Sequence, residues 1–112
     1  MWRNEVIGRN KGLVWANATA TLSAAGSASL TPSLPAGATG IPRKIKAAGN
    51  VSAIVTLAIG NTQEIVVLVN PNAPPSEEEI PAKAFDGPVN SVAVTVTTSG
   101  AGNVYVAIGF EP

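Results

Sequence analysis

Val51-Ser-Ala-Ile-Val-Thr-Leu-Ala-Ile59 is the stretch whose reading decides the fold. Val51, Ala53, Val55, Leu57 and Ile59 fall on one face of an extended chain. Ser52 and Thr56 fall on the other, beside Ile54 and Ala58. A period of two with β-branched enrichment marks a half-buried antiparallel strand, because successive side chains of a strand point to opposite sides.

Downstream the same pattern returns twice. In Asn90-Ser-Val-Ala-Val-Thr-Val-Thr-Thr98, Val92, Val94 and Val96 share a face. In Asn103-Val-Tyr-Val-Ala-Ile-Gly-Phe110, Val104, Val106, Ile108 and Phe110 do. Gly60-Asn61-Thr62 is a short reversal, so 51–59 and 63–70 read as a hairpin. Ser99-Gly-Ala-Gly-Asn103 predicts a second hairpin between the last two strands. Asp86-Gly87-Pro88 marks a further turn. Ile65-Val-Val-Leu-Val69 is apolar on both faces, which suits a strand between two layers or at a subunit contact; the interior is the first expectation.

Upstream the signals are softer. Glu5-Val-Ile-Gly8 and Leu13-Val-Trp15 read as short strands, and Ala18–Leu22 and Ser27–Thr31 as a hairpin around Ala24-Ala-Gly26. Ile41–Ala48 resumes as a strand with Ile41, Ile45 and Ala47 inward and its cations outward. Pro71-Asn-Ala-Pro-Pro-Ser-Glu-Glu-Glu79 reads as a long solvated loop, followed by a short strand from Ile80 to Phe85. About eight short strands and no helix predict an all-β fold, an antiparallel β-sandwich of about eight strands, jelly-roll-like. The chain forms one domain, 1–112, with 1–12 as an N-terminal arm and 71–79 as a Pro/Glu loop. Gly49-Asn-Val51 leading to Ala58-Ile-Gly60 is echoed by Gly102-Asn-Val104 leading to Ala107-Ile-Gly109, a reused strand solution.

Composition narrows the function. The 112 residues include no His and no Cys, and Asp86 and Tyr105 are the sole Asp and Tyr. The side chains that usually carry proton transfer near neutral pH, thiolate chemistry and transition-metal ligation are missing or nearly so. Paired carboxylates are the one catalytic option, from Glu64 and Asp86 or from Glu77, Glu78 and Glu79. The latter three, adjacent in a Pro-rich loop, read as a solvated acidic run that could bridge a cation to a neighbour. Neither a metal nor a cofactor is expected. Arg43-Lys44-Ile45-Lys46 is a small basic cluster, but net charge is zero and aromatics are few, so nucleic acid is not an expected partner. A membrane is not expected either, because no run approaches the roughly 20 apolar residues of a span.

Only 12% of residues are charged, which with zero net charge favours self-association. Arg3, Arg9, Lys11, Arg43, Lys44 and Lys46 face Glu5 alone in residues 1–46, and Lys83 faces Glu64, Glu77, Glu78, Glu79, Asp86 and Glu111 in the rest. That split could join neighbouring subunits or be neutralised within one chain. Trp2 and Arg3 would either anchor an arm on a neighbour, Trp being frequent at binding hot spots, or cap their own sandwich. Trp15 is expected in the core. The candidate subunit contacts are therefore Trp2 and Arg3, then Ile65, Val67 and Val69, then Glu77, Glu78 and Glu79.

Thr/Ala/Gly/Val-rich strands, Gly-Asn and Asn-Val turns, a Met1 start without a secretory signal and the terminal Gly102–Phe110 strand together resemble small virion proteins. The resemblance is to phage and viral decoration, auxiliary capsid and head-fibre proteins. It implies a non-enzymatic homo-oligomer, a trimer or larger, bound to a major capsid or other virion protein. Synthesis in the host cytoplasm and residence in the virion follow from it. The alternative is a carbohydrate- or receptor-binding β-sandwich of a fibre or cell surface, with Trp2, Trp15 and Tyr105 as stacking platforms.

Overall fold

A strand that is apolar on one face has to bury that face, and two sheets laid face to face do so for all their strands at once. The computed structural model describes residues 12–59, 63–81, 84–85 and 87–112. These form β1 (Val14–Leu22), β2 (Gly26–Leu30), β3 (Ile41–Gly49), β4 (Ala53–Ile59), β5 (Gln63–Val69), β6 (Ser76–Glu79), β7 (Val94–Thr98) and β8 (Gly102–Glu111). Two antiparallel four-stranded sheets result, β1-β8-β3-β6 and β2-β7-β4-β5. We call them sheet I and sheet II.

The pairings are nested. β1 pairs with β8, β2 with β7, β3 with β6 and β4 with β5, as in one long hairpin. Rolling it up brings β8 beside β3 and β7 beside β4. This is the eight-stranded jelly roll, all-β as the alternation predicts.

Between the sheets lie the residues that the period of two selects. Val55, Leu57, Val94, Val96, Val104, Val106, Ile108 and Phe110 are all buried. So are Ile45 and Ala47 on β3. Ile41 is not part of this seam. The β3–β8 register slips between Pro42 and Lys44, leaving Arg43 as an extra residue in a bulge. Pro42 is therefore the buried partner of Phe110, and Ile41 pairs with exposed Glu111. The bulged Arg43 carbonyl accepts the Ile80 N–H at 2.8 Å, and Ile80 is buried.

Four local expectations are corrected. Leu13–Trp15 and Ala18–Leu22 are not separate strands; β1 runs unbroken from Val14 to Leu22. Ala18–Leu22 and Ser27–Thr31 are not a hairpin, because β1 and β2 lie in different sheets. The same holds for β7 and β8 across Ser99–Asn103. Of the connections between the described strands, only β4 to β5 stays within one sheet, as expected. Lastly, the loop expected at 71–79 ends as strand β6, and no strand runs through the described part of Ile80–Phe85. Lys44 faces Glu79 and Lys46 faces Glu77 across β3 and β6, opposite charges that favour pairing there.

The repeated Gly-Asn-Val acquires a reason. Gly49 pairs with Val104, so the two copies meet at one end of sheet I. Asn50 Oδ1 accepts the Asn103 N–H at 2.8 Å, and the Asn50 N–H donates to the Asn103 carbonyl at 3.2 Å. A Cβ on Gly49 would stand 2.6 Å from the Asn103 carbonyl oxygen, and one on Gly102 would stand 2.6 Å from Asn50 Oδ1. Each glycine makes room for the other copy's asparagine. Gly49→Ala should therefore cost about 1–3 kcal/mol, because the obstructing atom is backbone. Thr98→Val should raise stability by about 1 kcal/mol, since the Thr98 hydroxyl is buried without a partner among the described residues. Urea denaturation midpoints check both directions.

Candidate functional site

With the inner faces closed on each other, the outer faces and edges of the sandwich carry what is available for contact. Sheet II presents Ile54, Thr56 and Ala58 from β4, with Glu64, Val66 and Leu68 beside them on β5. Thr95 and Thr97 of β7 and Ser27 and Ser29 of β2 continue this face. Ile54 pairs directly with Leu68, and Thr56 with Val66. Ile54 and Val66 are each 46% exposed and Leu68 is 60% exposed, forming one apolar patch beside a hydroxyl ridge. Ser27 and Thr97 hydroxyls bond across that ridge at 2.9 Å. Glu64 is the one charged residue these strands place on the face.

The outer face of sheet I is polar and aromatic. Trp15 pairs with Gly109, and its ring lies over that glycine, where a Cβ would stand 3.0 Å from the ring. Lys46 Nζ sits 4.4 Å from the Trp15 ring centroid, within cation–π range. Trp15 is thus on the outer face and not in the core. It alternates with inward Ala16, and the space between the sheets under β1 is filled by Ala16 and Ala20. Tyr105 is 51% exposed and pairs with Thr19 and Ala48. Asn17, Thr19, Lys46 and Ala107 line a shallow trough beside it.

The expected contact residues fare differently. Trp2 and Arg3 lie outside the described residues. Val67 and Val69 are buried in the chain's own core, and Ile65 packs against it, so these three face the interior. Their register partners on β4 are Val55, Ala53 and Leu57, all inward. The exposed phase of β5 is the other one, Val66 and Leu68, with Ile54 next to them. Sequence reasoning had the signal, since a strand apolar on both faces must show one of them to the outside. The contact candidates it named, Ile65, Val67 and Val69, lie on the phase that the fold turns inward, in keeping with the first expectation for this strand.

Glu77, Glu78 and Glu79 are exposed on β6 but do not converge. Glu77 and Glu79 share the outer face with Lys46 and Lys44, whereas Glu78 pairs with inward Ile45. Glu77 meets Lys44 Nζ at 3.5 Å and Lys46 Nζ at 3.4 Å. Arg43 meets Glu111 Oε1 through Nε at 2.8 Å and through Nη2 at 2.7 Å. Each cation of the basic cluster therefore has a carboxylate partner within the chain, Glu77 or Glu111. Among the described residues no group of three or more His, Cys, Asp or Glu is placed to hold a metal ion. Glu64 sits alone on the sheet II face, and Asp86 lies outside the described residues.

No protein-family model matches the chain, and neither a curated protein nor a solved structure matches it. The faces themselves carry the functional argument.

The ion pairs among the described residues are solvent-exposed and so contribute little. Glu77→Gln should lower stability by less than about 1 kcal/mol, and the difference should shrink further in high salt. Parallel denaturation curves at low and high ionic strength measure this.

Proposed function

We propose that the chain is a non-enzymatic structural subunit of a virus particle, a capsid decoration, auxiliary or minor capsid component, acting by oligomerisation and surface contact. The observation that carries this reading is the apolar patch of Ile54, Val66 and Leu68 on the outside of sheet II. A pleated face with so few charges has lost the usual device that keeps sheet surfaces apart, and it gains by being covered. The jelly roll supports the reading more weakly. It is an architecture of viral capsid domains, but also of lectins and cupins, and function resides in the surfaces.

The size of the patch says how it works. Covering what remains exposed of three aliphatic side chains contributes about 1 kcal/mol each. Ordering two bodies costs at least about 4 kcal/mol. The patch alone does not hold a tight dimer. It works together with other contacts on a shell or in a ring, where each contact raises the effective concentration of the next.

A saccharide-binding module is the second reading, favoured by exposed Tyr105 beside the amide, hydroxyl and ammonium groups of Asn17, Thr19 and Lys46. It has lost one of its platforms, because the Trp15 ring is already taken by Lys46 and Gly109.

Leu68→Lys tests the first reading without touching the core. Sedimentation velocity at micromolar concentration should show an oligomer for the parent chain and a smaller species for the variant. A parent chain that is a stable monomer and associates with no particle would contradict the proposal.

A further inference from the structure

Edges, as well as faces, decide how sheets meet. β1 and β6 are the edges of sheet I, and β2 and β5 those of sheet II. β1 packs over β2 on one side of the sandwich, and β6 lies by β5 on the other, where Ser76 Oγ donates to the Leu68 carbonyl at 2.6 Å. The β5/β6 side is blunted. β6 is only four residues long, carries three glutamates and turns one of them, Glu78, to the inward phase. Short length and inward charge are standard protections against strand addition.

Among the described residues the β1/β2 side has no such protection. β1 is nine residues long, Val14-Trp-Ala-Asn-Ala-Thr-Ala-Thr-Leu22, and β2 is Gly26-Ser-Ala-Ser-Leu30. Neither contains a charged residue or a proline. β1 pairs with β8 in unbroken register from end to end, without a bulge. Its other edge carries no described strand. A long, regular, uncharged edge is a template for another strand.

The sequence of β1 identifies that strand. Read from Ala18 in both directions it has the same character. Ala16 and Ala20 flank the centre on the inward phase, and Val14 and Leu22 close the two ends, Val14 being 45% exposed. On the outward phase Asn17 answers Thr19, and Trp15 answers Thr21. A two-fold axis through Ala18 would set Val14 of one copy against Leu22 of the other, and Ala16 against Ala20. Asn17 would meet Thr19, a hydrogen-bonding pair of the kind that favours cross-strand pairing, and the backbones of Trp15 and Thr21 would stand opposite each other. No like charges oppose. The Trp15 ring leans over Gly109 of β8, on the side away from this edge.

We infer that β1 pairs antiparallel with β1 of a second copy about a two-fold axis at Ala18, joining two copies of sheet I into one eight-stranded sheet. The inference deepens the structural-subunit reading and rests on it. It supplies the additional contact that the sheet II patch requires, and it is an isologous contact, so the unit it builds is a dimer and not a trimer.

Cysteine placement tests it in the full chain, which has no native cysteine to confuse the result. In Ala18→Cys the two thiols face each other across the axis, with Cβ atoms about 4.5–5.5 Å apart. In Thr21→Cys they stand about 20 Å apart along the paired strands. Under a mild oxidant at micromolar concentration, Ala18→Cys should convert largely to a disulfide-linked dimer and Thr21→Cys should not. A mixture of the exposed single variants Asn17→Cys and Thr19→Cys should crosslink to each other, which covers the case in which Ala18→Cys folds poorly. Crosslinking of Thr21→Cys as readily as Ala18→Cys overturns the inference, as does the failure of both Ala18→Cys and the mixture. If the parent chain is still oligomeric by sedimentation after such a failure, the edge pairing falls and the structural-subunit reading stands. If it is monomeric and associates with no particle, both fall.

Discussion

One seam of β-branched and aromatic side chains, closed between two sheets, holds everything else in place. Val55 and Val96 from sheet II and Val104, Val106, Ile108 and Phe110 from sheet I are essentially inaccessible. Fully burying a side chain of this size is worth about 1.5–3 kcal/mol. Because strand side chains alternate, committing one phase to the seam commits the other phase to the outside at the same time. The outer faces are thus not chosen independently. Ile54, Val66 and Leu68 are exposed because Val55, Val67 and Val69 are buried.

That coupling explains why the surface looks as it does. Sheet I spends its outer positions on polar groups, with Lys44 and Lys46 on Glu77, Arg43 on Glu111 and Trp15 under Lys46. Sheet II has aliphatic side chains and hydroxyls in the corresponding places, and β1 and β2 carry no charge along their edges. A monomer gains nothing from leaving greasy pleats and a bare strand edge in water. A subunit that meets others does. On the proposed reading the polar face of sheet I is the side kept wet, and the sheet II face and the β1 edge are the sides where subunits would join.

The fold class was legible because the alternation is regular in just the strands that line the seam: 51–59, 92–98 and 103–110. What was not legible is long-range. The short Ala/Gly/Ser segments after β1 and after β7 suit a hairpin as well as a change of sheet; what decides is that β1 finds β8, at the far end of the chain. β6 was hidden because glutamates are poor strand formers on their own, and the lysines that hold them come from β3. On β5, both phases are apolar, so periodicity could not say which faces in. The pairing of Val67 with Val55 does. The placing of Trp15 failed for a related reason, since size and hydrophobicity argued for the interior, while its phase relative to Ala16 and Ala20 puts it outside. In each case a partner distant in sequence overrode the local preference.

Hydrogen–deuterium exchange read as a function of protein concentration tests the central claim most directly. If subunits join through the β1 edge and the sheet II face, amides of Val14–Leu22 and Gln63–Val69 become more protected as concentration rises, while those of β8 stay protected throughout. Exchange in β1 and β5 that is the same at every concentration, in a chain whose β8 is well protected, would contradict it.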